Sequence, residues 1–548
     1  MPATLSDHPA SEAAVSPRLR VILLAIIIIA VVAHILATLQ PVFSDEFLVL
    51  GNLWDFIQNH TIIPEHTKYP AFYSYMVAPV TAAFVGASVA LGLPPSFYDY
   101  SEWMAMRPEL AMWPARLVSA ACWAICAWAV YLLALEALRS RRAGAIAAAA
   151  FASAFGLLEY SGYGLPDVAM MMWATLSLVY ALRMMRGERP MRDAAIAGGL
   201  AGLAMATKYS AAAIALPLLV ALMAAEVGEG RLRWRMFGAM AGVGALSFIV
   251  ACPGWVVAPG AYWAGLAYER AHMARGHLGY LGVPVLGQLE LLLEADPVLL
   301  IAGFAGAFTW AVRGRSRPLL VVAIAGVAVF AMAAPAKKQS LQYIFILYPV
   351  LAVLVAGGLE QFAGRSRQAY GYVVAVALLA TGAWGLMWGY RVAVVPDSLE
   401  LGRQWINARL PDDAVVAVDW IDVPRLISED ELEGLRGDLR TEMVRNALAG
   451  FRGFEVVKLQ QTEASNYSRE FLQETEATWL VTSSTCYARF FEFGRFTRVP
   501  PPPGSELRPE FEQRRGFYQA LRDGDGGWTL AHEVYTGNGP TVRIYQRR

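Results

Sequence analysis

Long apolar runs separated by short arginine clusters fill the first 390 residues of the chain. The first run, 21–40, follows Arg18 and Arg20 and is about 20 residues long, enough to cross the hydrocarbon core of a bilayer. It exceeds a signal-peptide core, and no small-residue cleavage site precedes Phe43-Ser44-Asp45-Glu46, so it reads as an uncleaved span. Ten further runs follow at 114–137, 143–160, 167–184, 194–207, 209–225, 237–253, 289–312, 318–334, 341–359 and 371–390. Between them lie Arg139/Arg141/Arg142, Arg183/Arg186/Arg189/Arg192, Arg231/Arg233/Arg235, Arg313/Arg315/Arg317 and Arg365/Arg367. Short basic loops stay on the cytoplasmic side, so all five clusters should share the side of Arg18 and Arg20.

That requirement settles the uncharged segment 71–93. If it crossed, every later cluster would move outside. It is therefore expected as a re-entrant or juxtamembrane element inside a large first outer loop, 41–113. Parity also makes 194–225 two short spans turning at Lys208-Tyr209-Ser210. The reading is a polytopic α-helical membrane domain of about eleven crossings over 1–390, N-terminus inside, with a soluble α/β domain outside over 391–548. In that tail 398–410 reads as an amphipathic helix, while 414–418, 479–483 and 541–545 read as strands.

Composition sharpens this division. Only 16% of residues are charged and 57% are hydrophobic, against about 25% charge in ordinary soluble domains. Yet 391–548 carries 24 acidic and 20 basic side chains, so the tail alone has a soluble balance. Lys and Arg together match Asp and Glu at 45 each, which argues against nucleic acid as a partner. Alanine and arginine richness points to a bacterium and its inner membrane. Cys122 and Cys126 sit one helical turn apart in an apolar run and fit helix packing. Cys486 is the tail's single cysteine and has no recognisable histidine partner for nucleophilic chemistry.

Charges on the expected outer face are few. They are Asp45-Glu46, Lys68, Arg116, Asp167, Lys208, the group Glu269-Arg270/His272/Arg275/His277, and Lys337-Lys338. Ionisable groups beside apolar segments are costly unless they pair or line a wet cavity. Arg116 and Asp167 could be a structural ion pair or substrate contacts, and Lys337-Lys338 could be interfacial side chains reaching for water. Together, carboxylates facing Lys, Arg and His suit chemistry on an anionic lipid phosphate: cations hold the leaving phosphate while a carboxylate takes a proton from a hydroxyl.

Four stretches resemble the GT-C class of membrane glycosyltransferases, and within it the protein O-mannosyltransferases and the aminoarabinose transferase of lipid A. Ser44-Asp45-Glu46-Phe47 matches the acidic motif whose aspartate is taken as catalytic base. Lys68-Tyr69-Pro70-Ala71-Phe72 is similar to a Lys/His-Pro-Pro-Leu element, Pro114-Ala115-Arg116-Leu117-Val118-Ser119-Ala120 to an Arg-Leu-Pro-Ser-Ala element, and Gly202-Leu203-Ala204-Met205-Ala206-Thr207-Lys208 to a Gly-Leu-Ala…Thr-Lys element. Gln342-Tyr343 opens a run resembling Arg-Tyr-Leu-Leu-Pro, with Gln342 where arginine is common. Tyr69 replaces a proline. Thr67 stands where the lipid A branch has an acidic metal-binding residue, which leaves a divalent ion open, with Glu65 and His66 as the nearby donors.

The resemblance implies a glycosyltransferase that moves a sugar, with inversion, from a polyprenyl-phosphate carrier to a hydroxyl on a lipid, protein or glycan. Asp45 would be the base, with Glu46 positioning base or acceptor. Lys68, Lys208, Arg270 and His277 would hold the donor phosphate, and Arg116, Asp167, Tyr69 and Tyr343 would organise the cavity. Two other readings stand beside it: a transporter or flippase of a lipid-linked saccharide, and a membrane-anchored sensor whose tail binds a ligand.

Overall fold

The computed structural model describes residues 17–41, 45–64, 67–92, 111–227, 230–278, 281–313, 316–361, 364–437, 451–461, 464–491, 500–525 and 527–548. Most are helical. In chain order the membrane part contains α1 (Pro17–Ala37), α2 (Glu46–Gln58), α3 (Phe72–Ala90), α4 (Trp113–Leu138), α5 (Arg141–Ala152), α6 (Phe155–Ser161), α7 (Pro166–Arg186) and α8 (Pro190–Thr207). Then come a 3-10 turn at Tyr209–Ile214, α9 (Ala215–Met223), α10 (Gly230–Ala251), α11 (Pro259–Arg275), α12 (Leu286–Ala295), α13 (Pro297–Arg313), α14 (Arg317–Ala333), α15 (Leu347–Gln361) and α16 (Gly364–Val394).

Among the described residues, six helices are long and apolar enough to cross a membrane, or eight if each of two bent pairs is one span. Three shorter apolar helices, Tyr209–Met223, Arg317–Ala333 and Leu347–Gln361, accompany them. Besides these three, which cover the expected spans 209–225, 318–334 and 341–359, three more of the expected spans differ from the structure. The run 143–160 is not one helix: α5 and α6 meet at 61°. The run 289–312 is bent by 115° between α12 and α13. One residue causes both breaks. Asp296 starts the turn into Pro297, which disfavours helix at the residue before it. Its buried carboxylate then accepts hydrogen bonds from the Phe155 N–H at 2.6 Å, the Gly156 N–H at 2.8 Å and the Tyr348 hydroxyl at 2.8 Å. The first turn of α6 is thus capped from across the fold. The helix α8, over the expected span 194–207, falls outside the spanning set; its first turn carries the polar Arg192-Asp193 pair.

The segment 71–93, expected as re-entrant or juxtamembrane, contains one unbroken helix, α3, with the length and apolarity of a span. Pro79 lies inside it without ending it.

Small residues set the tightest helix contact. A Cβ on Gly198 would lie 1.9 Å from the Met240 carbonyl oxygen, and one on Gly202 2.1 Å from that of Gly244. This spacing of four lets α8 and α10 touch backbone to backbone, as small-xxx-small pairs do in membranes.

Beyond α16 the chain forms an α/β domain, entered through α17 (Ser398–Arg409). Among the described residues, the six strands of its larger sheet are β1 (Val415–Val418), β2 (Ile427–Ser428), β3 (Gly453–Lys458), β4 (Trp479–Ser483), β5 (Trp528–Val534) and β6 (Val542–Arg547). Their order is β2-β3-β1-β4-β6-β5, with β1 parallel to both β3 and β4 and the last two strands antiparallel. The inner strands are Val-, Leu- and Ala-rich because both faces are covered. Two clamps dock this domain on the helices. Asn538 donates to the carbonyls of Val392 and Val395 at 3.1 and 2.7 Å. On the other side Leu278 and Leu281 join the apolar cluster of the tail, where Arg489 donates to the Leu278 carbonyl at 3.3 Å.

Candidate active site

The entrance to α2 is fixed by one buried ion pair. Arg116, on the first turns of α4, donates from Nε and Nη2 to the two Glu46 carboxylate oxygens at 2.9 and 2.7 Å, and from Nη1 to the carbonyls of Thr38 and Gln40 at 2.8 and 2.7 Å. The planar fork of arginine is what makes this two-pronged contact possible. Glu46 also accepts the Gly164 N–H at 2.7 Å. Both side chains are sealed off, at 1% and 0% exposed. Glu46 therefore holds α1, α2 and α4 together. The carboxylate is turned into the protein and fully engaged, so it does not face an acceptor, and it fixes the start of α2 next to Asp45.

The neighbouring residue points the other way. Asp45, half-buried, lines an open cavity with Asn52, Tyr69, Tyr73, Asp167, Lys208 and Gln342 among the other walls. Asp167 stands in the first turn of α7 and Lys208 just beyond the last residue of α8. These are the helix ends whose dipoles favour an anion and a cation respectively. The two meet in a buried salt bridge of 2.6 Å. Tyr69 and Tyr343 flank the same ammonium, their ring centres 5.1 and 5.4 Å from Nζ.

Lys68 is placed by a close approach of backbones. A Cβ on Gly265 of α11 would lie 2.3 Å from the Thr67 carbonyl oxygen, and the Thr67 hydroxyl donates to the Ala261 carbonyl at 2.8 Å. Lys68 thereby comes 4.5 Å from the centre of the Tyr268 ring. Lys338 arrives from the opposite side, where the Lys337 N–H donates to the Met273 carbonyl at 3.0 Å and Lys338 bridges to Leu281. Its ammonium sits 5.8 Å from the Tyr343 ring centre.

Burial raises the Asp45 carboxyl above its ordinary value, against the pull of Lys338, Lys208 and Lys68 and with a further push from Asp167. Glu269, on α11, is raised by burial too and is opposed by the same three lysines. Lys338 is lowered by burial, with Asp45 and Glu269 pulling it back. The Tyr69 phenol is pushed up, first by burial. Three lysines and three carboxylates thus sense one another around the cavity.

The structure brings together Asp45, Lys68, Tyr69, Asp167, Lys208 and Tyr343. Arg270 is not with them: it is exposed on α11, while its neighbour Glu269 turns inward. His277 lies off the lysine cluster, its ring centre 5.3 Å from His272 and 5.5 Å from Trp420 of the tail. Burial, then the charges of Arg489 and Lys338, push that imidazole well down, so it is neutral and ill-suited to hold a phosphate at neutral pH. Sequence reasoning gave Lys338 and Glu269 no role. The signals were present, as a Lys-Lys step and a Glu-Arg step on an outer loop, but not which member of each pair turns in. For a metal ion, no group of three or more His, Cys, Asp or Glu among the described residues could hold one. Glu65, His66 and Ser44 lie outside the described residues.

Residues 103–256 match the family model for dolichyl-phosphate-mannose-protein mannosyltransferase. No curated protein matches the chain by sequence. Among solved structures, the chain is similar to ArnT from Cupriavidus metallidurans bound to undecaprenyl phosphate, at 13% identity, covering 96% of this chain and 98% of that one with a TM-score of 0.52. It is also similar to the oligosaccharyltransferase of Archaeoglobus fulgidus in its apo form, at 14% identity, covering 94% and 80% with a TM-score of 0.52. The archaeal oligosaccharyltransferase AglB from the same organism, in complex with an inhibitory peptide and a dolichol-phosphate, matches at 14% identity over 93% and 79% with a TM-score of 0.50. The chain has the GT-C fold of these membrane enzymes.

Proposed function

We propose that this chain is an inverting glycosyltransferase that moves a sugar from a polyprenyl-phosphate carrier to an acceptor hydroxyl at the periplasmic face of a bacterial inner membrane, N-terminus inside and tail outside. The observation that carries the reading is Asp45, half-buried on the cavity wall and surrounded by Lys68, Lys208 and Lys338. A carboxylate whose proton affinity is lifted by burial is a better base than one in water, and lysines beside it supply the charge that a departing phosphate needs. The carriers bound in the ArnT and AglB structures, undecaprenyl phosphate and dolichol-phosphate, support this class of donor.

In the reaction the acceptor oxygen attacks the anomeric carbon from the face opposite the phosphate. Asp45 takes the hydroxyl proton as the new C–O bond forms. The bond from the anomeric carbon to the phosphate oxygen breaks, and the electron pair leaves with the polyprenyl phosphate, held by Lys68 and Lys338. Attack from the opposite face inverts the anomeric centre. Asp167, Tyr69 and Tyr343 hold Lys208 in place beside them. The sugar arrives already activated, so no nucleotide-sugar fold is required.

The test uses Asp45→Asn in nanodiscs with a radiolabelled polyprenyl-phosphate sugar. The variant should insert and fold as the wild type does and lose transfer. Retained turnover would move the base elsewhere, and movement of intact donor between leaflets without cleavage would favour a transporter.

A further inference from the structure

A loop of the tail lies beside the Asp45 site, where Asp422 is felt by Tyr163 and feels Asp45. At the end of β1 the buried Asp419 carboxylate accepts three hydroxyl hydrogen bonds: from Tyr467 at 2.7 Å, Thr482 at 2.6 Å and Tyr518 at 2.7 Å. The loop that follows is therefore pinned at its base. Asp422 adopts φ +49°, a left-handed conformation that aspartate tolerates better than most residues. Its carboxyl is raised by burial, is hydrogen-bonded with Thr485, and lies close enough to Asp45 to feel that charge.

Trp420 stands beside it and remains 37% exposed although it belongs to the docked face. The guanidinium carbons of Arg489 and Arg514 lie 5.5 and 6.0 Å from its ring centre. From Trp420 a line of flat rings leads back to the lysines. His277 is followed by His272 at 5.3 Å and by Tyr268 at 5.7 Å, the last pair stacked, and Tyr268 lies under Lys68. His272 is held down to about 4 by burial and by nearby Lys338, Arg275 and Lys68, so it is a neutral ring at physiological pH. Its Nδ1 is buried without a hydrogen-bond partner among the described residues.

A partly exposed indole beside a carboxylate suits one kind of guest. A sugar ring offers C–H faces for stacking on aromatics and hydroxyl edges that donate to carboxylates. A serine or threonine side chain offers a hydroxyl but no such face.

We propose that the tail loop 419–422 is the acceptor subsite and that the acceptor is a saccharide, its ring against Trp420 and its reacting hydroxyl held by Asp422 within reach of Asp45. This rests on the transferase reading. Asp422 makes and breaks no bond: the hydroxyl proton goes to Asp45 and the polyprenyl phosphate departs as before. It is a positioning residue for the nucleophile.

The full chain in nanodiscs is supplied with undecaprenyl-phosphate-linked radiolabelled mannose and arabinose. The acceptors, each titrated, are a bacterial membrane glycolipid extract, the oligosaccharide released from that extract by mild acid, and a mixture of Ser/Thr peptides. Trp420→Ala and Asp422→Ala should raise the half-saturating saccharide concentration at least tenfold and leave that of the donor within twofold. Trp420→Phe should keep most of the affinity, and Asp422→Asn should fall between; the first keeps an aromatic ring and the second the side-chain shape, which guards against misfolding. Label on the glycolipid alone means that its lipid anchor is also read, and label on the freed oligosaccharide means that the glycan suffices; either supports the proposal. Saccharide saturation unchanged in both alanine variants, an equal rise for donor and acceptor, or label only on peptides overturns it. A wild type that consumes no donor, like Asp45→Asn, overturns the transferase reading and this one together.

Discussion

Replacing Arg116 with methionine tests whether the Glu46 ion pair is scaffold or chemistry. The pair is sealed from water, with both partners at or below 1% exposed. Removing one partner of a buried pair costs about 3–5 kcal/mol, because the other charge loses its compensation. The two hydrogen bonds to Thr38 and Gln40 add about 1 kcal/mol each. Arg116→Met should therefore lose roughly 5 kcal/mol or more, comparable to the whole stability of many domains. The double variant Arg116→Met/Glu46→Leu removes both charges, and apolar replacement of a buried pair is often neutral. It should recover all but about 2 kcal/mol, the share of the carbonyl contacts. Denaturant titration of detergent-solubilised protein, followed by circular dichroism, measures both differences. If Arg116→Met stays within about 1 kcal/mol of wild type, or the double variant is no better than the single, the scaffold account fails. Transfer activity then separates the roles. A restored fold with restored turnover makes Glu46 structural, whereas a restored fold that stays inactive gives it back a part in the chemistry.

Two further perturbations read the lysines. Lys208→Met strips Asp167 of its cation in a buried site and should cost about 3–5 kcal/mol of stability. Lys68→Met should melt like wild type yet weaken carrier binding roughly ten- to a hundredfold, the value of about 1.5–3 kcal/mol for one charge-assisted contact; equal melting losses in the two variants would refute the division. Lys338 is the largest opposing charge on Asp45, so Lys338→Met should raise that carboxyl further. The base works deprotonated, so activity rises with pH through its pKa, and the acid limb of kcat/KM should move to higher pH; a limb that stays or moves to lower pH contradicts the assignment.

Much of the site could be read from the chain because sidedness is a strong constraint. Assigning the arginine clusters to one face left a handful of charges for the other, and of these Asp45, Lys68, Asp167 and Lys208 do meet. What failed was local. Glu269 and Arg270 are adjacent on α11, about 100° apart around a helix, and only one can face the cavity. α11 is polar on several sides, so no apolar stripe said which. Lys337 and Lys338 pose the same choice in an extended segment, where alternation sends one in and one out. The broken helices divide in another way. Asp296-Pro297 carried a legible stop signal inside the run 289–312. The α5–α6 break carried none, because its cause is a carboxylate some 140 residues away in sequence. The tail was legible as an α/β domain from its alternating patterns. That its loop 419–422 lies near Asp45 was not legible, since nothing within that loop encodes what it docks against.

The interleaving of charges has a consequence for how Asp45 acts. With lysines alone the cavity would bind phosphate tightly and release the spent carrier slowly. With carboxylates alone, burial would keep them protonated and useless as bases. Lys338 and Lys68 are shared: in the empty cavity they draw the pKa of Asp45 down, and a donor phosphate competes for the same ammonium groups. Its arrival adds negative charge beside Asp45. A unit charge at about 6 Å in an effective dielectric of roughly 20 is worth about 3 kcal/mol, or about two pH units. The carboxylate therefore becomes a stronger base once the sugar to be transferred is in place, provided it enters that state already deprotonated. The acid limb of kcat, which reports the bound complex, should then lie at higher pH than that of kcat/KM, which reports the free enzyme. Coincident limbs would mean that the phosphate sits too far from Asp45 to be felt, and the lysines around that carboxylate would need another purpose.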